Sequence, residues 1–235
     1  QIEYAPEQLA AIRAAACRQL LIVTGGPGTG KTTVMSGILQ LFDELKLKTQ
    51  LAAPTGRAAK RLSEVTGREA STIHRLLEAQ FDPETGAMAF FHDEDQPLRC
   101  EAMIVDETSM VDLQLMMSLL RALKPGCRLI LVGDSAQLPP VGCDFSPALD
   151  PATVSRYGEV VYGLMDEVVR QQMQSGILFN ATLVRCMLEN GICEVPRFRM
   201  DFPDIEAVEG GEFMEKLQDC YDRYGRDETI VITRS

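Results

Sequence analysis

The nine residues 25–33, GGPGTGKTT, constrain this chain more than any other stretch. They match G-x-x-x-x-G-K-[ST] and lie between an apolar run and a helical pattern, the setting in which that motif cradles phosphate. Upstream, RQLLIVTGG (18–26) is short, β-branched and ends on glycines, as a buried parallel strand feeding a turn does. Downstream, Val34, Ile38, Leu41, Phe42 and Leu45 recur at helical spacing and predict a helix with one face on a sheet. Glycines let such a loop curl so that its amides point at phosphate oxygens, and the helix N-terminus adds a favourable dipole. Gly26, Pro27, Gly28, Thr29, Gly30, Lys31, Thr32 and Thr33 are therefore the expected nucleotide contacts, with Lys31 on the β and γ phosphates and Thr32 on Mg²⁺.

The same strand type returns in TQLAAP (49–54), EAMIVDE (101–107) and CRLILVGD (127–134), each separated by helical pattern. That alternation predicts an α/β fold, a parallel sheet flanked by helices with functional loops at the carboxyl ends of its strands. AQFDPETGAMAFFHDEDQPL (79–98) departs from it: a Pro-Glu-Thr-Gly turn between short apolar pieces reads as a β-hairpin insertion. Further on, a helix is expected near 174–189, PRFRMDFPD (196–204) as a loop, and DETIVITRS (227–235) as a buried strand. A first domain is accordingly expected over 1–164, with the hairpin insertion at 78–99, and the beginning of a second α/β domain over 165–235.

Two strand tips carry chemistry. MIVDE (103–107) ends in paired carboxylates: beside a phosphate loop, Asp106 would hold Mg²⁺ and Glu107 would orient and deprotonate an attacking water. A solvated strand end is the plain alternative, but the adjacent Glu favours hydrolysis over transfer to an acceptor hydroxyl. LILVGDSAQLPPVG (129–142) stops at Gly133 and delivers Gln137 into a Pro-bounded turn. From there its amide can reach the γ-phosphate or the lytic water, so nucleotide state can be felt by whatever the loop touches.

Composition bounds the partners. The net charge of -11 speaks against nucleic acid at first sight, yet residues 1–80 carry ten Lys and Arg against seven Asp and Glu, whereas 81–235 carry thirteen against twenty-seven. Arg57, Lys60, Arg61, Arg68 and Arg75 stand among hydroxyls and exposed amides at Thr55, Gly56, Ser71 and Thr72, a set suited to phosphate oxygens. His74 either stacks on a base or packs beside Leu76 and Leu77. Seven scattered cysteines without Cys-x-x-Cys spacing read as reduced thiols in a cytoplasmic protein, and no apolar stretch is long enough for a membrane. The start shows no secretory signal, and Gln1 in first place reads as a piece whose own N-terminus lies upstream.

Taken in order, Gln8, GGPGTGKT, APTGRAAKRL (53–62), STIHRLL (71–77), IVDETSMVD (104–112), LVGDSAQLPPVG (131–142), VVRQ (168–171) and SGILFNA (175–181) closely resemble the RecD-type DNA helicases of superfamily one, the branch that moves 5′ to 3′. The resemblance runs from about Gln8 to the last residue. It implies a RecA-like ATPase domain using ATP and Mg²⁺, with Gln8 recognising adenine and Arg170 reaching the γ-phosphate from a second domain. It also implies that Pro54, Thr55, Arg57, Lys60, Arg61, Thr72 and His74 lie along single-stranded DNA. The hairpin resembles the wedge such helicases place between strands; Phe90 and Phe91 would then stack on the terminal pair, or seat the hairpin on the core, the reading preferred here. By the same resemblance the parent acts in repair or recombination, as does an exodeoxyribonuclease V α subunit, with further subunits of a nuclease complex as partners. Without the later motifs of a full second domain the chain is expected to be a fragment with poor motor activity. Two other readings remain: a nucleotide kinase, indifferent to DNA, and a nucleotide-gated DNA-binding or assembly module with little turnover.

Overall fold

A computed structural model describes residues 4–81, 83, 88–155, 160–165 and 175–233. Six parallel strands form one sheet in the order β3-β2-β6-β7-β1-β8: β1 (Leu20–Gly25), β2 (Thr49–Ala53), β3 (Ala70–Thr72), β6 (Ala102–Val105), β7 (Arg128–Gly133) and β8 (Val160–Met165). Of these, β3 and β8 are not among the strands expected from the sequence. The half-exposed β3 is only three residues long, and β8 extends the sheet by pairing with β1 from Leu20↔Val160 to Gly25↔Met165.

Residues alternate between two faces, so each face collects its own core. Leu21, Val23, Ile104, Ile130 and Val132 point to the side covered by α1 (Pro6–Cys17), α2 (Lys31–Glu44) and α3 (Gly56–Thr66), where Val34, Ile38 and Phe42 are fully buried. The expected α2 face is thus present, except that Leu45, just past the last turn, is exposed. Ile22, Met103, Val105, Leu129 and Leu131 face the other way, onto α4 (Ile73–Leu76), α5 (Leu113–Ala122) and a 3-10 turn at Pro147–Leu149. Burying several Leu, Ile and Phe side chains on each face, at about 1.5 to 3 kcal/mol apiece, fixes the strand tips relative to one another.

The hairpin is present as β4 (Ala79–Phe81) and β5 (Met88–Phe90), antiparallel, with Ala79 opposite Phe90. Most of its expected turn, residues 84–87, lies outside the described residues. Phe90 packs against the core and its ring lies 6.0 Å from that of His74, while Phe91 is exposed. Phe90 thus seats the hairpin, with His74 beside it. Past the hairpin, in HDEDQ (92–96), Asp93 accepts the amides of Asp95 and Gln96 and closes a turn.

Beyond the sheet, a short α6 (Pro151–Val154) precedes β8, and α7 (Gly176–Glu189) fulfils the expected helix. Asp204 fixes its start by accepting from the Gly176 amide at 2.8 Å and the Ser175 hydroxyl at 2.6 Å. A further helix, α8 (Phe213–Tyr224), follows with no buried residue. The strand expected at the end is not formed: residues 229–233 pair with no strand, and Ile230, Val231 and Ile232 are exposed. An apolar run becomes a strand only where an unpaired sheet edge meets it, and none does so here among the described residues.

Candidate functional site

The loop from Gly25 to Gly30 turns because Gly28 (φ 74°) and Gly30 (φ 86°) take left-handed backbone that side chains resist. Gly30 meets a second demand, since a Cβ there would collide with the Gln8 amide. Gln8 is buried and accepts the Ala5 amide at 3.0 Å, so α1 carries it directly onto the phosphate loop. The Thr29 hydroxyl donates to the Gly26 carbonyl at 2.9 Å. Lys31 Nζ donates to the carbonyls of Gly25 and Gly26, at 2.7 and 2.8 Å, so its ammonium lies folded on the loop. Burial holds this ammonium below its ordinary value, while the charges of Asp134, Asp106 and Glu107 pull it back up.

A cavity of about 390 Å³ opens over the loop, lined by Pro27 to Thr33, Asp106, Glu107 and Gln137, together with Arg61 and Val65 of α3. The sheet thus gathers three strand tips, those of β1, β6 and β7, around one space. Burial raises Asp106 above the usual carboxylate range, and for Glu107 burial is joined by the neighbouring Asp106 charge. Glu107 itself sits at φ 53°, a conformation non-glycine residues seldom adopt, and turns the chain sharply out of β6. The following residues brace that turn. The Thr108 hydroxyl donates to the Val132 carbonyl at 2.9 Å, and Ser146 Oγ donates to the Thr108 carbonyl at 2.7 Å. A Cβ on Gly133 would lie 2.7 Å from Thr108 Oγ1, so the Gly-Asp at the end of β7 is set by this close approach. Asp134 then accepts the Ala136 amide through its side chain and the Gln137 amide through its carbonyl, at 3.0 and 3.1 Å, and that turn presents Gln137 to the cavity.

The donor set suits a nucleotide with Mg²⁺. Thr32 and Asp106 offer hard oxygens on the cavity wall, and Mg²⁺ is commonly held by one or two such ligands plus phosphate oxygens. No group of three or more His, Cys, Asp or Glu able to enclose a metal on its own occurs among the described residues.

Several residues of the proposed DNA face meet along the adjoining edge of the sheet. Ala53 pairs with Thr72, which brings Pro54, Thr55 and α3 beside Thr72 and α4. Thr55 and Thr72 cap their helices by accepting the amides of Ala58 and Arg75, at 3.2 and 3.1 Å. Each hydroxyl still has its hydrogen to donate to a phosphate oxygen. Arg57 and Lys60 are exposed, Lys60 lying 3.9 Å from Glu64. Arg61, grouped with them on sequence, lines the cavity over the loop at 25–30 instead. Arg170 lies outside the described residues.

A residue the sequence reading missed is Arg185. From α7 it pairs with the buried Asp134 and lies along the loop, its Cδ 3.3 Å from where a Cβ on Gly26 would be. Only folding reveals it, because fifty-one positions separate the pair and no local motif announces it.

A family profile described as an AAA domain matches residues 8–143. The ATP-dependent RecD2 DNA helicase of Deinococcus radiodurans is 48% identical over 135 residues, covering 57% of this chain and 18% of that protein. The RecBCD enzyme subunit RecD of Mycobacterium tuberculosis is 38% identical over 201 residues, covering 70% of this chain and 34% of that protein. The chain therefore spans about a third or less of the length of these relatives. Among solved structures, Bacteroides Pif1 bound to ssDNA superposes with a TM-score of 0.58 over 97% of this chain and 58% of that one, at 19% identity, a likeness of fold.

Proposed function

We propose, because the chain belongs to the AAA domain family and within it to the RecD-type branch of superfamily 1, that it is the ATP-hydrolysing part of a 5′ to 3′ DNA helicase acting in repair or recombination. The observation that carries this reading is the single cavity in which Lys31, Asp106, Glu107 and Gln137 converge, on the same sheet whose next strand tips present Thr55 and Thr72.

The chemistry follows from these side chains. Lys31 exchanges the carbonyls of Gly25 and Gly26 for the β and γ phosphates, and Gln8, whose amide lies against Gly30, offers it to the base. Mg²⁺, held by Thr32 and Asp106, would neutralise phosphate charge and polarise the γ-phosphoryl group. Glu107, raised above the usual carboxylate range by burial and by Asp106, accepts a proton from the attacking water. As the water oxygen bonds to the γ phosphorus, the bond to the β–γ bridging oxygen breaks and ADP leaves. Gln137 senses the terminal phosphate from the Pro-bounded loop and passes its presence to bound single-stranded DNA.

The Mycobacterium relative, named as a subunit of RecBCD, supports assembly with further subunits of a recombination complex, and seven unpaired cysteines support a cytoplasmic location. ATPase rate with and without oligo-dT tests the main reading. Stimulation by DNA is expected, whereas turnover indifferent to DNA, with phosphate passed to a small acceptor, would establish a kinase instead.

A further inference from the structure

We propose that Arg61 binds the nucleotide rather than the DNA, acting beside Lys31 as a second cation for the phosphates of the loop at 25–33. This rests on the reading of that cavity as the nucleotide site. Its first support is position. At 100° per residue, Lys60 and Glu64 share one stripe of α3, while Arg61, Leu62 and Val65 turn toward the next and form a wall of the cavity. The second is pairing. Lys60 lies 3.9 Å from Glu64 and Arg68 is bonded to Asp43, whereas Arg61 has no ion pair among the described residues.

The third support is charge balance. In the cavity Lys31 faces both Asp106 and Glu107, and a triphosphate remains anionic after binding one divalent cation, so a second cation on the wall strengthens its binding. Arg61 lines the same cavity as these carboxylates and supplies that cation. A guanidinium also supplies paired donors in a fork that matches two phosphate oxygens. Because Arg61 is exposed, its substitution leaves the core intact.

The test uses the 235-residue chain and two titrations: a fluorescent ATP analogue with Mg²⁺, and oligo-dT across a salt series. Arg61→Ala should weaken ATP binding by about tenfold or more, the loss expected for a hydrogen bond to a charged group, while the salt slope of DNA binding stays at the wild-type value. Arg61→Lys should recover part of the ATP affinity, since it restores charge without the fork. Lys60→Ala calibrates a true DNA phosphate contact by lowering the slope by about one. If Arg61→Ala instead lowers the slope by about one and leaves ATP affinity at the wild-type value, Arg61 serves DNA; if neither changes, it is merely solvated. Either result overturns the proposal. Lys31→Ala separates the underlying reading: full ATP affinity in that variant means the cavity is not the nucleotide site at all.

Discussion

Replacing Glu107 by Gln separates the chemistry of hydrolysis from the binding of nucleotide. The substitution keeps the side-chain length, and the amide still fits a backbone at φ 53°, but the group can no longer accept a proton. A positioned general base contributes about 10² to 10⁴ in rate, so kcat should fall by at least about 10²-fold, equivalent to roughly 2.7 kcal/mol of barrier. Nucleotide affinity should hold or improve, because the cavity loses one of two carboxylates that face the incoming phosphates, the one raised both by burial and by the charge of Asp106. Stability should move the same way. The Glu107 carboxyl has a folded value above its unfolded one, so the folded state loses stability as pH rises from the ordinary carboxylate range through the raised value. At neutral pH the neutral Gln therefore relieves a cost, and the midpoint of thermal unfolding should rise. Single-turnover phosphate release, a fluorescent nucleotide titration and a thermal melt measure the three quantities. Loss of nucleotide binding as severe as in Lys31→Ala, or a kcat within a few-fold of wild type, would refute the assignment of Glu107 as base.

Gln137→Ala should leave DNA affinity without nucleotide nearly intact but shrink the difference in DNA affinity between ATP-analogue and ADP states, because coupling can come only from contacts that differ between them; an undiminished difference refutes a sensing role. Arg57→Ala with Lys60→Ala should weaken oligo-dT binding equally across sequences and lower the salt slope by about two; an unchanged slope would mark this face as merely solvated. Gly133→Ala brings a Cβ to 2.7 Å from Thr108 Oγ1 and 3.0 Å from Leu149, so denaturant unfolding should show a loss of about 1 to 3 kcal/mol. Arg185→Ala leaves the buried Asp134 carboxylate without its cation, at a cost of about 3 kcal/mol. Amide exchange in 176–189 should accelerate as α7 loosens from the loop, and unaltered protection would show that the pair does not anchor it.

How much of this was legible depended on how local the signal was. The phosphate loop and the four apolar strands could be read because glycine turns and β-branched runs act within a few residues. By contrast, β3 is half-exposed and three residues long, too short to show a pattern, and the apolar end at 230–232 looks like a strand but finds no edge to pair with. For the site, Lys31, Asp106, Glu107 and Gln137 converge on one cavity, as their places at strand tips implied. The left-handed turn at Glu107 was invisible, since nothing in IVDETSM marks an unusual backbone, and it emerges from the bracing of Thr108 against Val132 and Ser146. Arg61 and Arg185 show the limit of motif reading. A run of basic residues in α3 looks uniform until the helix divides it between two faces, and the partner of Arg185 comes from a distant strand.

The strand order has an electrical consequence. β1 and β2 are separated by β7 and β6, three strand spacings or about 14 Å. The Debye length at physiological ionic strength is about 8 Å, so a polyanion lying across the tips of β2 and β3 and another seated on the loop after β1 scarcely repel each other through solvent. Both can be carried on one rigid platform at the same time, and any influence of one on the other passes mainly through the protein between them.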